Sequence, residues 1–230
     1  MRQVVLDTET TGLEARDGHR IIEIGCIELV GRRVSENVFH FRLNPEREID
    51  EAAAQVHGMR LEDLAGEPRF ADIADRLLAF VHDAEVIIHN ASFDVEFHDA
   101  ELQRVGRGRF GDCCRVTDSL RMARDLHPGK RNSLDALCER YGVSNRHRTL
   151  HGALLDAGLL AEVYLAMTRG QDSLTMDLHA AGATQTVLAI DVTKLARIVA
   201  QPAEIAAHEA ILDAIEREAK ACVWREPTPA

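Results

Sequence analysis

Asp7 and Glu9 follow directly on the apolar run Val4-Val5-Leu6. A short run of this kind reads as a buried strand. Alternate residues of a strand point to one side, so the two carboxylates are expected side by side at the strand's end. Like charges held that close and partly dry repel each other. A pair of divalent cations removes that cost, and hard oxygen donors suit Mg²⁺ or Mn²⁺. Thr10-Thr11-Gly12 comes next, and its glycine allows a turn and close approach of the backbone to a ligand.

Two further acidic segments follow. Val86-Ile87-Ile88 leads into His89-Asn90-Ala91-Ser92-Phe93-Asp94, and later comes His151-Gly152-Ala153-Leu154-Leu155-Asp156. His151 and Asp156 are five positions apart, about 500° on a helix, so their side chains would diverge by about 140°. Both face one site only if His151 precedes the regular helix, and Gly152 fits such an entering loop. Taken singly, each residue has an ordinary role: Asp7 could end a strand, Asp94 could cap a helix, and His151 could lie on the surface. Asp156 sits among Leu154, Leu155, Leu159 and Leu160, where an unpaired charge is costly.

The ordered set D-x-E, N-x-x-F-D and H-x-A-x-x-D, running from Asp7 to Asp156, resembles that of the DnaQ-like (DEDDh) exonucleases. The resemblance implies an α/β, ribonuclease-H-like fold. Its mixed five-stranded sheet has three antiparallel strands followed by two parallel ones, flanked by helices. It also implies phosphodiester hydrolysis with two divalent ions. Asp7 would bridge them, Glu9 and Asp156 would hold one each, and Asp94 would act directly or through water. His151 would be the general base, since an imidazole with an ordinary pKa is partly neutral at physiological pH. Thr10, Thr11, Gly12 and Leu13 would flank the terminal nucleotide. His57 lies in a segment that resembles a base- or sugar-contacting one, and Asn90 and Phe93 are further candidates for touching the strand.

The periodicity agrees with such a sheet. Strands are expected over 3–9, Arg20–Val30 and Val34–Leu43, then at Val86–His89 and near Arg115–Thr117. Helices are expected over Asp50–Val56, Phe70–Val81, Phe93–Val105, from the Ser133 cap to Tyr141, and over His151–Met167. Strands followed by alternating helices and strands predict helices on both faces.

The chain has 230 residues, 46% of them hydrophobic, enough for one catalytic domain and a smaller appendage. No apolar run is long enough for a membrane span. Met1-Arg2-Gln3 runs straight into the first strand, which leaves no room for a signal peptide. Five cysteines without C-x-x-C spacing fit reduced thiols in a cytoplasmic protein. The net charge of −11 argues against a freestanding protein that grips DNA by broad electrostatics. Yet Glu101–Leu150 holds eleven Arg or Lys against six Asp or Glu, among them Arg104, Arg107, Arg109, Lys130, Arg131, Arg146 and Arg148. That stretch lies just before His151, where a strand would pass; an ordinary solvated surface is an equal alternative.

The chain is expected to divide into a catalytic domain (1–170), a linker (171–190) and a helical tail (191–230). Helices are predicted over Asp191–Ala200 and Ala203–Ala221. Gln171, Leu174 and Met176 look like a peptide that binds a sliding clamp, with Met176 in place of the usual aromatic. Ile205, His208, Leu212, Ile215 and Trp224 lie in a tail resembling that of polymerase-tethered members of the family. The resemblance implies three partners: a DNA 3′ end, the catalytic (alpha) subunit of bacterial DNA polymerase III, and the clamp. It implies proofreading 3′→5′ exonuclease activity, with an RNA 3′ exonuclease or an architectural bridging subunit as alternatives.

Overall fold

The computed structural model describes residues 2–145, 150–169, 200–220, 222 and 224–225. The chain divides into two compact units, Met1–Ala180 and Ala181–Ala230.

In the first unit, β1 (Arg2–Thr10), β2 (Ile21–Val30) and β3 (Arg33–Arg42) form the antiparallel meander, and β4 (Glu85–Ile88) and β5 (Arg115–Asp118) extend it in parallel. The order is β3-β2-β1-β4-β5, so the strand carrying Asp7 and Glu9 is central. The helices are α1 (Glu51–His57), α2 (Leu61–Leu64), α3 (Phe70–Val81), α4 (Ala91–Arg104), α5 (Ser119–Leu126), α6 (Leu134–Tyr141) and α7 (Ala153–Met167).

Strand alternation divides the core. Val4 and Leu6 pack with Ile73, Leu77, Phe97 and Leu102 of α3 and α4. Val5 packs with Leu137 of α6 and with Leu160 and Val163 of α7. The period of two therefore sends Asp7 and Glu9 to the α7 face and Thr8 to the α4 face. α3 shows the predicted helical spacing, burying Phe70, Ile73, Leu77 and Val81. The Ser133 hydroxyl accepts the Ala136 N–H, as the predicted cap requires.

Local differences have physical causes. α4 begins at Ala91, because Asn90 takes a left-handed turn (φ 68°) that hands the chain from β4 into the helix. Asp94 is thus inside the first turn and does not cap it. α7 begins at Ala153, leaving His151 outside the helix. Two short 3-10 turns, Ala15–Asp17 and Phe110–Asp112, and α2 carry too little periodic signal to be read from sequence.

In the second unit, α8 (Pro202–Ala219) has its proline in the first turn, where the missing N–H costs nothing. Leu212 and Cys222 are buried, while Ile205, Ile215 and Trp224 are exposed. Arg225 turns back onto the helix and reaches Glu209, Asp213 and Glu216, each at 2.7 Å. Of the predicted helix over Asp191–Ala200, residues 191–199 lie outside the described residues, as do Gln171, Leu174 and Met176. No helix among the described residues is long and apolar enough to cross a membrane.

Candidate active site

The ends of β1 and β4 and the start of α7 open into a cleft of about 680 Å³ that Asp7, Glu9, Asn90, Phe93, Asp94, His151 and Asp156 help to line. Donor atoms of Glu9, His151 and Asp156 lie within 4.8 Å of one another. His151 Nδ1 is 3.2 Å from Asp156 Oδ2. Asp156 is buried at 3% exposure, although charged residues are seldom so buried unpaired.

Asp94 arrives from the other face. Its Oδ1 accepts the Thr8 hydroxyl at 2.5 Å. Burial pushes its carboxyl up to about 7, against the pull of the Thr8 hydrogen bond. Of the four predicted acidic ligands, only Glu9 and Asp156 fall in the tight group with His151. Asp7 and Asp94 share the cleft around them.

A fifth carboxylate, not foreseen from the motifs, holds this arrangement. Glu9 pairs across the strands with Glu23 of β2, and Glu23 with Arg42 of β3. Like charges directly opposite each other are destabilising. Glu23, buried at 4% exposure, is compensated by three partners. Its Oε1 is 2.8 Å from His40 Nε2 and 3.7 Å from Arg42 Nε, and its Oε2 accepts the Ala153 N–H at 2.9 Å. It thereby caps α7 beside His151. Two pairs along, Asp7 faces Gly25, where a Cβ would stand 2.3 Å from Leu154 N. The absent side chain lets the start of α7 rest on the sheet. The His151 loop is tied from its other side, its N–H donating to the Val56 carbonyl of α1 at 3.1 Å.

The predicted substrate residues are distributed more widely. Thr10 and Thr11 are buried, and Thr11 Oγ1 accepts the Arg20 N–H at 3.0 Å. The space beside Gly12 is filled by the His19 ring, 2.2 Å from where a Cβ would stand, so this glycine makes room for a side chain of the chain itself. Leu13 is 80% exposed. His57 is buried at 5% exposure outside the cleft lining; its Nδ1 accepts the Met59 N–H, and burial holds its pKa below the ordinary range. Asn90 and Phe93 line the cleft, and Phe93 also packs on Phe97 at 4.9 Å. The basic stretch splits. Lys130, with Arg124, faces the cleft, whereas Arg104, Arg107 and Arg109 line a separate groove. Arg146 and Arg148 lie outside the described residues.

The donor set fits divalent ions. It is rich in hard carboxylate oxygens, one of them on a buried carboxyl group whose ionised form a nearby cation would favour.

A family model described as "Exonuclease" matches residues 4–164. The chain is 48% identical to the DNA polymerase III subunit epsilon of Escherichia coli strain K12, over 97% of both chains. It is 52% identical to that of Pasteurella multocida, over 75% of this chain and 70% of the relative. The fold matches exonuclease X in complex with 5′ overhanging duplex DNA. That match has a TM-score of 0.60 and 22% identity, over 74% of this chain and 93% of the other. The chain belongs to the DnaQ-like exonuclease family, the class that the fold and the acidic cleft define. Its branch is that of the DNA polymerase III epsilon subunits, and its activity is proofreading 3′→5′ exonucleolysis. Divalent-metal use goes with that class.

Proposed function

We propose that this chain removes mispaired 3′-terminal nucleotides from DNA as 5′-monophosphates, using two Mg²⁺ or Mn²⁺ ions. The observation that carries this reading is the gathering of Glu9, His151 and Asp156 within 4.8 Å in one cleft. Asp7 would hold both ions, with Glu9 and Asp156 one each and Asp94 completing the set directly or through water. Bound there, the ions would offset the charge developing on the phosphate and favour ionisation of the attacking water. His151 acts as the base: the Asp156 carboxylate beside Nδ1 orients the ring, leaving Nε2 to accept a proton from that water. Thr10–Leu13 flank the terminal nucleotide. A frayed, mispaired end costs less to unpair, which gives the preference for mismatches.

The tail supplies what the acidic catalytic unit lacks. Ile205, Ile215 and Trp224 are exposed apolar residues, and with His208 and Leu212 they support docking to the polymerase alpha subunit. Gln171, Leu174 and Met176 would reach the sliding clamp. Such tethering replaces intrinsic DNA affinity with high effective concentration.

The test is Mg²⁺-dependent release of the 3′ nucleotide from matched DNA, mismatched DNA and RNA of one sequence. Fastest release from mismatched DNA is expected. Faster release from RNA would transfer the protein to RNA processing.

A further inference from the structure

The cleft has a second wall that carries two cations together with one carboxylate, Asp135. Arg124 of α5 and Lys130 face the same cleft as Asp7, Glu9 and Asp156. Both side chains belong to exposed residues, and neither forms an ion pair among the described residues. Arg124 lies four residues after Leu120, which also lines the cleft, so one face of α5 is turned toward it. Its charge is felt at His89, whose pKa is held down first by burial and further by that guanidinium.

Lys130 sits on a loop that the fold fixes in place. Asn132, buried at 8% exposure, donates Nδ2 to the carbonyls of Lys130 (3.1 Å) and His127 (3.4 Å). Its Oδ1 accepts from Arg140 Nη1 at 3.1 Å, and Arg140 Nη2 donates to the Arg131 carbonyl at 2.7 Å. His127 Nε2 is 2.7 Å from the Tyr141 hydroxyl. Gly129 supplies the left-handed turn (φ 73°). A loop braced this heavily by α6 presents its lysine with little ordering left to do on binding.

We propose that Arg124 and Lys130 form a phosphate subsite for the phosphodiester one nucleotide to the 5′ side of the scissile bond. The assignment rests on the exonuclease reading above. On that reading cations and the scissile phosphate would take the carboxylate end of the cleft, and the terminal nucleotide would lie toward Thr10–Leu13, the segment that follows Glu9. The strand must leave past the remaining wall, where two cations meet its next anionic group. Phosphate contacts fix register without reading sequence, as a proofreader acting on any sequence requires.

The test compares two substrates: a short single-stranded oligonucleotide and the 5′-p-nitrophenyl ester of thymidine monophosphate, which has one phosphate and no upstream neighbour. In Arg124→Ala/Lys130→Ala the ratio of kcat/KM for oligonucleotide over ester is expected to fall about tenfold. The salt dependence of log KM for the oligonucleotide should flatten by roughly 0.7 for each phosphate left without its cation. Lys130→Glu should lower the ratio further. An unchanged ratio would overturn the subsite, whether both activities fall together or neither moves. If the wild-type protein released no nucleotide from any strand, the exonuclease reading would fail instead.

Discussion

The Ala153 N–H donates to Glu23 Oε2 at 2.9 Å, joining two residues 130 positions apart. The bond fixes the first turn of α7 against β2, and His151 and Asp156 flank that turn. Glu23 therefore acts on the site through backbone position. Glu23→Ala is expected to lower kcat by about 10- to 100-fold with little change in KM. Glu23→Gln keeps an acceptor and should recover most of the loss. Equal losses in the two variants would mean that charge, not position, is what Glu23 contributes.

Gly25→Ala places a methyl group 2.3–2.5 Å from the backbone of Ala153 and Leu154. Neither neighbour is a side-chain end that could swing aside, so α7 must shift. Destabilisation of about 1–3 kcal/mol is expected from such overpacking, with activity lost before the fold. Urea unfolding alongside nuclease assays checks this; wild-type activity would show that α7 need not rest on the sheet.

His151→Ala separates base from ligand. As a base, its loss should cost roughly 100-fold or more in kcat while calorimetric Mn²⁺ affinity persists. A matching fall in Mn²⁺ affinity would make His151 a ligand. Asp7→Ala should abolish turnover, and catalysis surviving it would contradict the assigned metal set.

Stability should depend on pH through His98. Burial lowers its pKa from the usual 6.5 to about 4 in the folded protein. Between those values the unfolded chain binds more protons at this site, so the contribution of His98 is full above about 6.5 and declines as pH falls toward 4, opposite in sign to that of Asp94, which burial pushes up to about 7. The loss is on the order of 3 kcal/mol. His98 sits against Phe70 and Phe110, so His98→Phe keeps an aromatic ring there and should flatten this dependence. An unaltered slope between pH 7 and 4.5 in urea titrations would assign it to other groups, His57 and His89 first, whose pKa values are lowered in the same direction.

Truncation after Gly170 should spare hydrolysis of single strands and abolish co-elution with the polymerase alpha subunit. An unchanged elution profile would sink the tether.

Local periodicity made much of this legible. Alternation placed Asp7 and Glu9 on one face of β1, and the 500° separation of His151 from Asp156 required the histidine to precede α7, as it does. Register was not legible. That Glu9 meets Glu23 and Asp7 meets Gly25 depends on how β1 and β2 slide past each other, which neither segment encodes alone. The same holds for Gly12, read as space for a ligand and found filled by His19. In the sequence Arg124 and Lys130 are two cations of a broadly basic stretch, and only the bracing of the 127–133 loop separates Lys130 from its neighbours.

The donor set spans the catalytic unit from its first strand to its last helix. Asp7 and Glu9 are near the start of synthesis, and Asp156 arrives only once α7 has been made and has docked on β2. A nascent or prematurely ended chain holds half a site. The topology thus acts as a safety catch: an enzyme that destroys DNA ends becomes competent only when its chain has been made through α7 and that helix has docked.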